Sequence, residues 1–203
     1  MKRQVVTIGG GDSFSKREDF LNYLQTVPLR DVHGTEKKRW RHTIGKELTE
    51  FEVFTLSMPN PDNAHYDEWV IWFERYFEYL RDGVVLVGAS LGGMFLAKYL
   101  SQNKLPVSVR CAFLLAAPCG YYEDETGNDC GSFTFDQADL SKLSENAFEV
   151  QIWHSEDDFV VPYSHALEFM KHLPEAKLIS FKDRNHFLQE TFPELVEEIK
   201  RLG

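Results

Sequence analysis

Four short stretches hold residues whose types and spacing could do chemistry. The first is Gly88-Ala89-Ser90-Leu91-Gly92, which follows the apolar run Val84–Val87 and leads through Gly93 into the helix-forming Met94-Phe95-Leu96-Ala97-Lys98-Tyr99-Leu100. A serine in this GxSxG strand–turn–helix context can serve as a nucleophile. Gly88 and Gly92 remove side chains that would collide where strand and helix come close. The turn also puts Ser90 at a helix N-terminus, where backbone N–H groups and the helix dipole favour negative charge. The Leu91 N–H is thereby a candidate donor to a developing oxyanion. An incidental serine in a glycine-rich turn would read the same, so Ser90 has to be judged by its company.

A nucleophilic serine needs a base, because its hydroxyl is not ionised near neutral pH, and the base needs a carboxylate to orient it. The second stretch, after Val150–Trp153, is His154-Ser155-Glu156-Asp157-Asp158-Phe159-Val160-Val161-Pro162. The third, after Leu178–Phe181, is Lys182-Asp183-Arg184-Asn185-His186-Phe187. Acid and histidine thus follow the serine, each behind a later strand, in the chain order Ser, Asp, His. His186 is the candidate base and Asp158 the candidate orienting carboxylate, with Asp157 its rival one residue earlier. Asp183 is nearer to His186 in sequence, but three residues along one loop is poor geometry for a bond to the ring nitrogen. His154 reads as a structural residue at the loop start.

The fourth stretch, Gly9-Gly10-Gly11-Asp12, ends the first strand. It is not a dinucleotide loop, since Phe14 stands where GxGxxG needs its third glycine, and GxxxxGK[ST] occurs nowhere. With a Ser-Asp-His series behind it, such a loop donates the second oxyanion N–H. Gly11 is the first candidate and Gly10 the next.

The elements that must position these residues are legible as a rhythm. Apolar runs at Val5–Ile8, Phe51–Leu56, Val84–Val87, Ala112–Ala116, Val150–Trp153 and Leu178–Phe181 are continuous rather than alternating, as in strands buried on both faces. Between them apolar residues recur at three- and four-residue spacing. One stripe is Tyr66, Trp69, Val70, Phe73, Phe77 and Leu80; another is Tyr163, Ala166, Leu167, Met170 and Leu173. A final helix is expected with Thr191 as cap, Glu194 reaching back to it, Pro193 in the first turn, and a core stripe of Phe192, Leu195, Val196, Ile199 and Leu202. The pattern predicts an α/β fold: a mostly parallel sheet of about six strands with helices on both faces, in a single domain over 1–203. Two stretches break the rhythm. Leu29–Leu48 is charged and predicts an extra surface helix near Lys38–Leu48. Gly120–Ala147 is long, acidic and turn-rich, and is expected to roof or border the pocket as a lid-like insertion. Its Tyr121, Tyr122, Phe133 and Phe135 would then supply apolar contact, and its acids would disfavour large anionic substrates.

Composition excludes several classes of partner. The 203 residues carry 22 basic and 32 acidic side chains, a formal charge of -10, against nucleic acid or an anionic membrane surface. No stretch approaches the roughly 20 apolar residues of a membrane span, and Val5-Val6-Thr7-Ile8 is too short for a signal segment. Cys111, Cys119 and Cys130 are odd in number and lack ligand spacing, as expected of reduced thiols in a cytoplasmic protein.

With Gly9-Gly10-Gly11, GASLG at 88–92, DFVVP at 158–162 and NHF at 185–187 in this order, the chain resembles the α/β-hydrolase superfamily. Within it, the chain is most similar to the YdeN-like small single-domain serine hydrolases, a family that includes retinoblastoma-binding-protein homologues. Met58–Ala64 and the aromatic segment Tyr66–Leu80 resemble that family's approach to the nucleophile strand. In similar hydrolases the acid stands at this distance from Val160-Val161-Pro162, which favours Asp158 over Asp157. One departure is Gly9-Gly10 where many relatives have His-Gly. The resemblance implies esterase-like acyl-enzyme chemistry by Ser90, His186 and Asp158 on a small acyl substrate, with no metal or organic cofactor. A thioesterase, amidase or peptidase would use the same three residues. A non-enzymatic interaction protein on this scaffold is a further alternative, although no protein partner is indicated.

Overall fold

Six runs rich in β-branched and aliphatic residues pair into one sheet in the computed structural model, which describes residues 1–29 and 38–202. The strands are β1 (Arg3–Ile8), β2 (Phe51–Leu56), β3 (Val84–Ala89), β4 (Val109–Leu115), β5 (Val150–Ser155) and β6 (Lys177–Phe181). Their order is β2-β1-β3-β4-β5-β6 and every neighbouring pair is parallel. Each expected strand is present, most of them extended by one or two residues; the fourth starts three residues earlier, at Val109, and ends at Leu115, leaving Ala116 outside at positive φ. The four inner strands are almost wholly buried, whereas the edge strand β6 is not. This is why the inner runs lack polar alternation.

Parallel neighbours require crossovers, and helices supply them. They are α1 (Arg17–Thr26), α2 (Trp40–Glu47), α3 (Tyr66–Glu74), α4 (Leu91–Gln102), α5 (Leu143–Asn146), α6 (Ser164–His172) and α7 (Pro193–Arg201). Successive strand residues point to opposite faces, so the core divides in two. On one face Val6, Ile8, Leu86, Ala112, Leu114 and Ile152 pack against α3, α4 and α6. On the other, Val5, Val85, Val87, Phe113, Leu115 and Trp153 pack against α2 and α7. The surface helix expected near Lys38–Leu48 is α2, buried through Trp40 and Ile44; the earlier part of that charged stretch, 30–37, lies outside the described residues.

Two local expectations are corrected. Along α6, Ala166 and Leu173 of the expected stripe are buried and Tyr163 and Met170 pack against the core, but Leu167 is 47% exposed and Phe169, outside the stripe, is buried in its stead. In α7 the cap position falls on Phe192 and no side chain caps the helix. Glu194 does not reach back to Thr191; it pairs with Arg184 at 2.6 Å. The α7 core stripe Phe192, Leu195, Val196, Ile199 and Leu202 is buried as read.

The chain leaves β1 toward β2 on one side and returns to β3 on the other. The carboxyl ends of β1 and β3 therefore flank a topological switch point, where crevices form in such sheets. Both ends carry the glycine-rich turns.

Candidate active site

Ser90 follows directly on β3 and starts α4 with φ 55° and ψ −126°. A non-glycine residue in this region carries about 1–3 kcal/mol of strain and persists only when its surroundings hold it. They do. Ser90 N–H donates to Leu115 O on β4 at 2.8 Å, and Ser90 O accepts from Gly93 N–H and Met94 N–H. The glycines act by absence. A Cβ on Gly88 would lie 2.4 Å from Gly92 O, and one on Gly92 would lie 2.4 Å from Gly9 O and 2.6 Å from Ile8 O. Three backbone segments thus meet where no β-carbon fits.

The first-strand loop comes against the serine. A Cβ on Gly10 would stand 3.2 Å from Ser90 Oγ, whereas one on Gly11 would strike Pro61 O at 2.5 Å. The next residue is tied to the same carbonyl, with Asp12 N–H donating to Pro61 O at 2.8 Å. Leu91 opens α4, so its N–H has no intrahelical acceptor.

Asp158 lies beyond β5, and His186 beyond β6. His186 Nδ1 is 2.9 Å from Asp158 Oδ2 and 3.1 Å from Oδ1, with the carboxylate side chain fully buried and the imidazole 10% exposed. Asp158 Oδ1 also accepts from Val160 N–H and Val161 N–H. Burial alone would push this carboxyl up. The hydrogen bonds from His154 and His186, the His186 charge and the Val160 N–H outweigh burial and hold it well below the usual carboxylate range.

The competing residues are placed elsewhere. Exposed Asp157 accepts from Ser155 Oγ and from Asn185 N–H at 2.9 Å, tying the acid loop to the histidine loop. Asp183 pairs with Arg184. His154 is fully buried, and its Nε2 lies 2.8 Å from Val161 O and 3.3 Å from Asp158 Oδ2. A carbonyl only accepts, so His154 Nε2 carries the proton and touches the same carboxylate as His186. Sequence reading gave His154 a structural place but not this contact.

The histidine loop is itself held tightly. Asn185 and Phe187 flank His186 with φ 48° and 52°. Phe187 is buried, stacked on Phe192 with ring centroids 5.0 Å apart and edge-on to Phe181. Trp40 Nε1 of α2 donates to Phe187 O at 3.0 Å, and Trp40 N–H to Gln189 O at 2.9 Å.

Ser90 and His186 line one cavity of about 770 Å³ together with Gly9, Gly10, Gly11 and Asp12. Its other wall is the start of α2, with Lys38, Arg39, Trp40, Arg41 and His42. Sequence reading missed this wall, although the basic run 37–42 in an acidic chain was its signal. Residues 120–147, expected to border the pocket, contribute nothing to this lining. Phe133 is buried against Trp69 and Phe95, and the segment is stitched to the Asp12–Ser15 loop through Asn128 and Asp129. It meets lining residues from behind, through Asn128 at Asp12 and through Tyr122, whose hydroxyl donates to Val160 O. The three cysteines are buried and unpaired, and burial pushes the Cys119 and Cys130 thiols up to about 12.

No helix among the described residues is long and apolar enough to cross a membrane. Among solved structures, the B. subtilis ydeN gene product superposes with a TM-score of 0.75 over 98% of both chains at 20% identity. A lipase-esterase related protein from Clostridium acetobutylicum gives 0.65 over 99% of this chain and 94% of its own, at 12% identity. These likenesses describe the fold. In sequence, the putative hydrolase YdeN of Bacillus subtilis is 26% identical over 165 residues, 78% of this chain and 85% of that protein. The rat serine hydrolase RBBP9 is 24% identical over 157 residues, 77% and 81% of the two chains. The profile of the serine hydrolase family matches residues 29–201. The chain belongs to the serine hydrolase family, with a fold like that of the B. subtilis ydeN gene product.

Proposed function

We propose that the protein hydrolyses small esters through an acyl-enzyme on Ser90. The observation that carries this reading is the buried Asp158–His186 pair opening onto the cavity that also holds the strained Ser90. With Nδ1 engaged by Asp158, His186 keeps Nε2 for the serine proton. Ser90 Oγ attacks the carbonyl carbon as Nε2 takes that proton, and Asp158 stabilises the imidazolium. The oxyanion is bound by Leu91 N–H and by an amide of Gly10 or Gly11. The imidazolium returns its proton to the leaving alcohol, and water then attacks the acyl-enzyme by the same route.

Gly10, closest to Ser90, leaves the carbonyl room to approach. The same groups would cleave thioesters or amides, and no residue lining the cavity favours those over esters. The test is a fluorophosphonate probe, which should label folded protein at Ser90 and fail on Ser90→Ala and on heated protein. Folded wild type that refuses the probe overturns the reading.

A further inference from the structure

Arg41 is one of the charged groups of the cavity that the proposed acyl-transfer steps leave unused. It is the second residue of α2 and lines the cavity with Ser90 and His186. Its guanidinium lies directly over Gly9. A Cβ at Gly9 would fall 2.0 Å from an Arg41 terminal nitrogen and 2.3 Å from Cζ. One peptide link further on, Gly10 touches the Ser90 side chain. The guanidinium therefore sits beside the strand-end loop that faces the nucleophile, a few bonds from where a substrate carbonyl would lie.

Among the described residues no carboxylate forms an ion pair with Arg41, and Lys38 and Arg39 beside it in the lining are cations too. Burial first, and then the charge of Arg39, hold the guanidinium below its ordinary value. The acids of the lining are Asp12 and Asp62. Asp12 already accepts from Tyr23 Oη and Asn128 Nδ2, each at 3.0 Å, and Asp62 is also engaged. A half-buried, unpaired guanidinium is costly unless an anion meets it, and its planar fork suits a carboxylate.

The position is built rather than incidental. Thr55 Oγ1 of β2 donates to Arg41 O at 3.3 Å. Trp40 is fastened to the His186 loop by its ring and backbone N–H groups, and Thr43 Oγ1 donates to Glu190 O at 2.9 Å. The loop that carries the histidine thus holds the start of the helix that carries Arg41.

We propose that Arg41 anchors a free carboxylate on the substrate, so that the preferred substrates are short esters bearing a carboxylate a few bonds from the scissile carbonyl. This rests on the ester-hydrolase reading above and narrows it to a substrate class.

The experiment compares kcat/KM for the p-nitrophenyl monoester of glutaric acid with that for p-nitrophenyl valerate, in wild type, Arg41→Gln and Arg41→Lys. Wild type should prefer the carboxylated ester. Arg41→Gln should lower the ratio of the two by about 30-fold, the size of a lost charge-assisted hydrogen bond, with Arg41→Lys in between. A ratio unmoved by Arg41→Gln, with valerate still cleaved, overturns the anchor and leaves the hydrolase reading standing. If wild type cleaves neither ester and refuses a fluorophosphonate, the hydrolase reading fails. Calorimetric titration of glutarate then decides the anchor separately. Binding lost in Arg41→Gln upholds a carboxylate site, and no binding to wild type overturns it.

Discussion

Asp158 is approached by two imidazoles, and the difference between them defines its work. His154 reaches it from inside the sheet end, with its proton shared toward Val161 O, while His186 reaches it from the cavity. The spacing to Val160-Val161-Pro162 pointed to Asp158 over Asp157. The His154 contact was illegible, because it depends on how the loop folds back over β5 rather than on any periodicity. Asp158→Ala is expected to lower kcat/KM by about 10³-fold or more, since the histidine loses both its orientation and its counter-charge. Asp157→Ala should lower it less than about tenfold, because Asp157 only ties the two loops together. Steady-state kinetics on one ester checks both, and the reverse ranking would reassign the acid.

At the scale of elements, the His186 loop is pinned by one aromatic side chain. Phe187 at positive φ is buried between Phe181 and Phe192, so Phe187→Ala should cost about 3–5 kcal/mol of stability in a urea titration. The surviving folded fraction should turn over more slowly, because His186 is next in the chain. Strands were legible because two-sided burial makes continuous apolar runs, and α7 because its stripe is strong. The caps and walls were not. Arg184 drew Glu194 away from the cap, and that contact joins the loop after β6 to the first turn of α7. The aromatics of 120–147 looked like pocket lining, but Phe133 meets Trp69 in the core. Aromatic type alone does not tell a core from a pocket.

Across the whole molecule, the outermost helix and strand are joined by charge. Glu198 of α7 accepts from Lys177 of β6 at 2.9 Å and from Gln151 of β5 at 2.6 Å, and pairs with Arg201. The Arg201 hydrogen bond leads, and with Lys177 and Gln151 it overcomes partial burial to bring the Glu198 carboxyl down to about 2. A depressed folded value stabilises above the ordinary carboxylate range, near 4.3, and that stability drains away as pH falls toward 2. Glu198→Gln should therefore lower Tm by about 2–4 °C at pH 7 and by much less near pH 2.5, as read by thermal melts. An equal drop at both values would contradict the ionic origin. A net charge of -10 was plain from composition. That a cluster of cations stands at the cavity mouth was not, since it requires α2 to be folded against β1 and β2.

The glycine junction divides the cavity into a half that can drift and a half that cannot. At Gly88 and Gly92 any β-carbon meets main-chain atoms on rigid neighbours, so natural variation and laboratory selection alike have no neutral path there. The atoms nearest a Cβ on Gly9 are those at the tip of a bendable arginine, and the α2 wall is made of side chains. Changes of substrate taste should therefore accumulate at Gly9, Lys38, Arg39, Arg41 and His42, while Trp40 and the turn that presents Ser90 stay as they are. A library confined to Gly9, Lys38, Arg39, Arg41 and His42 would explore new acyl groups while sparing Trp40, which fastens the His186 loop.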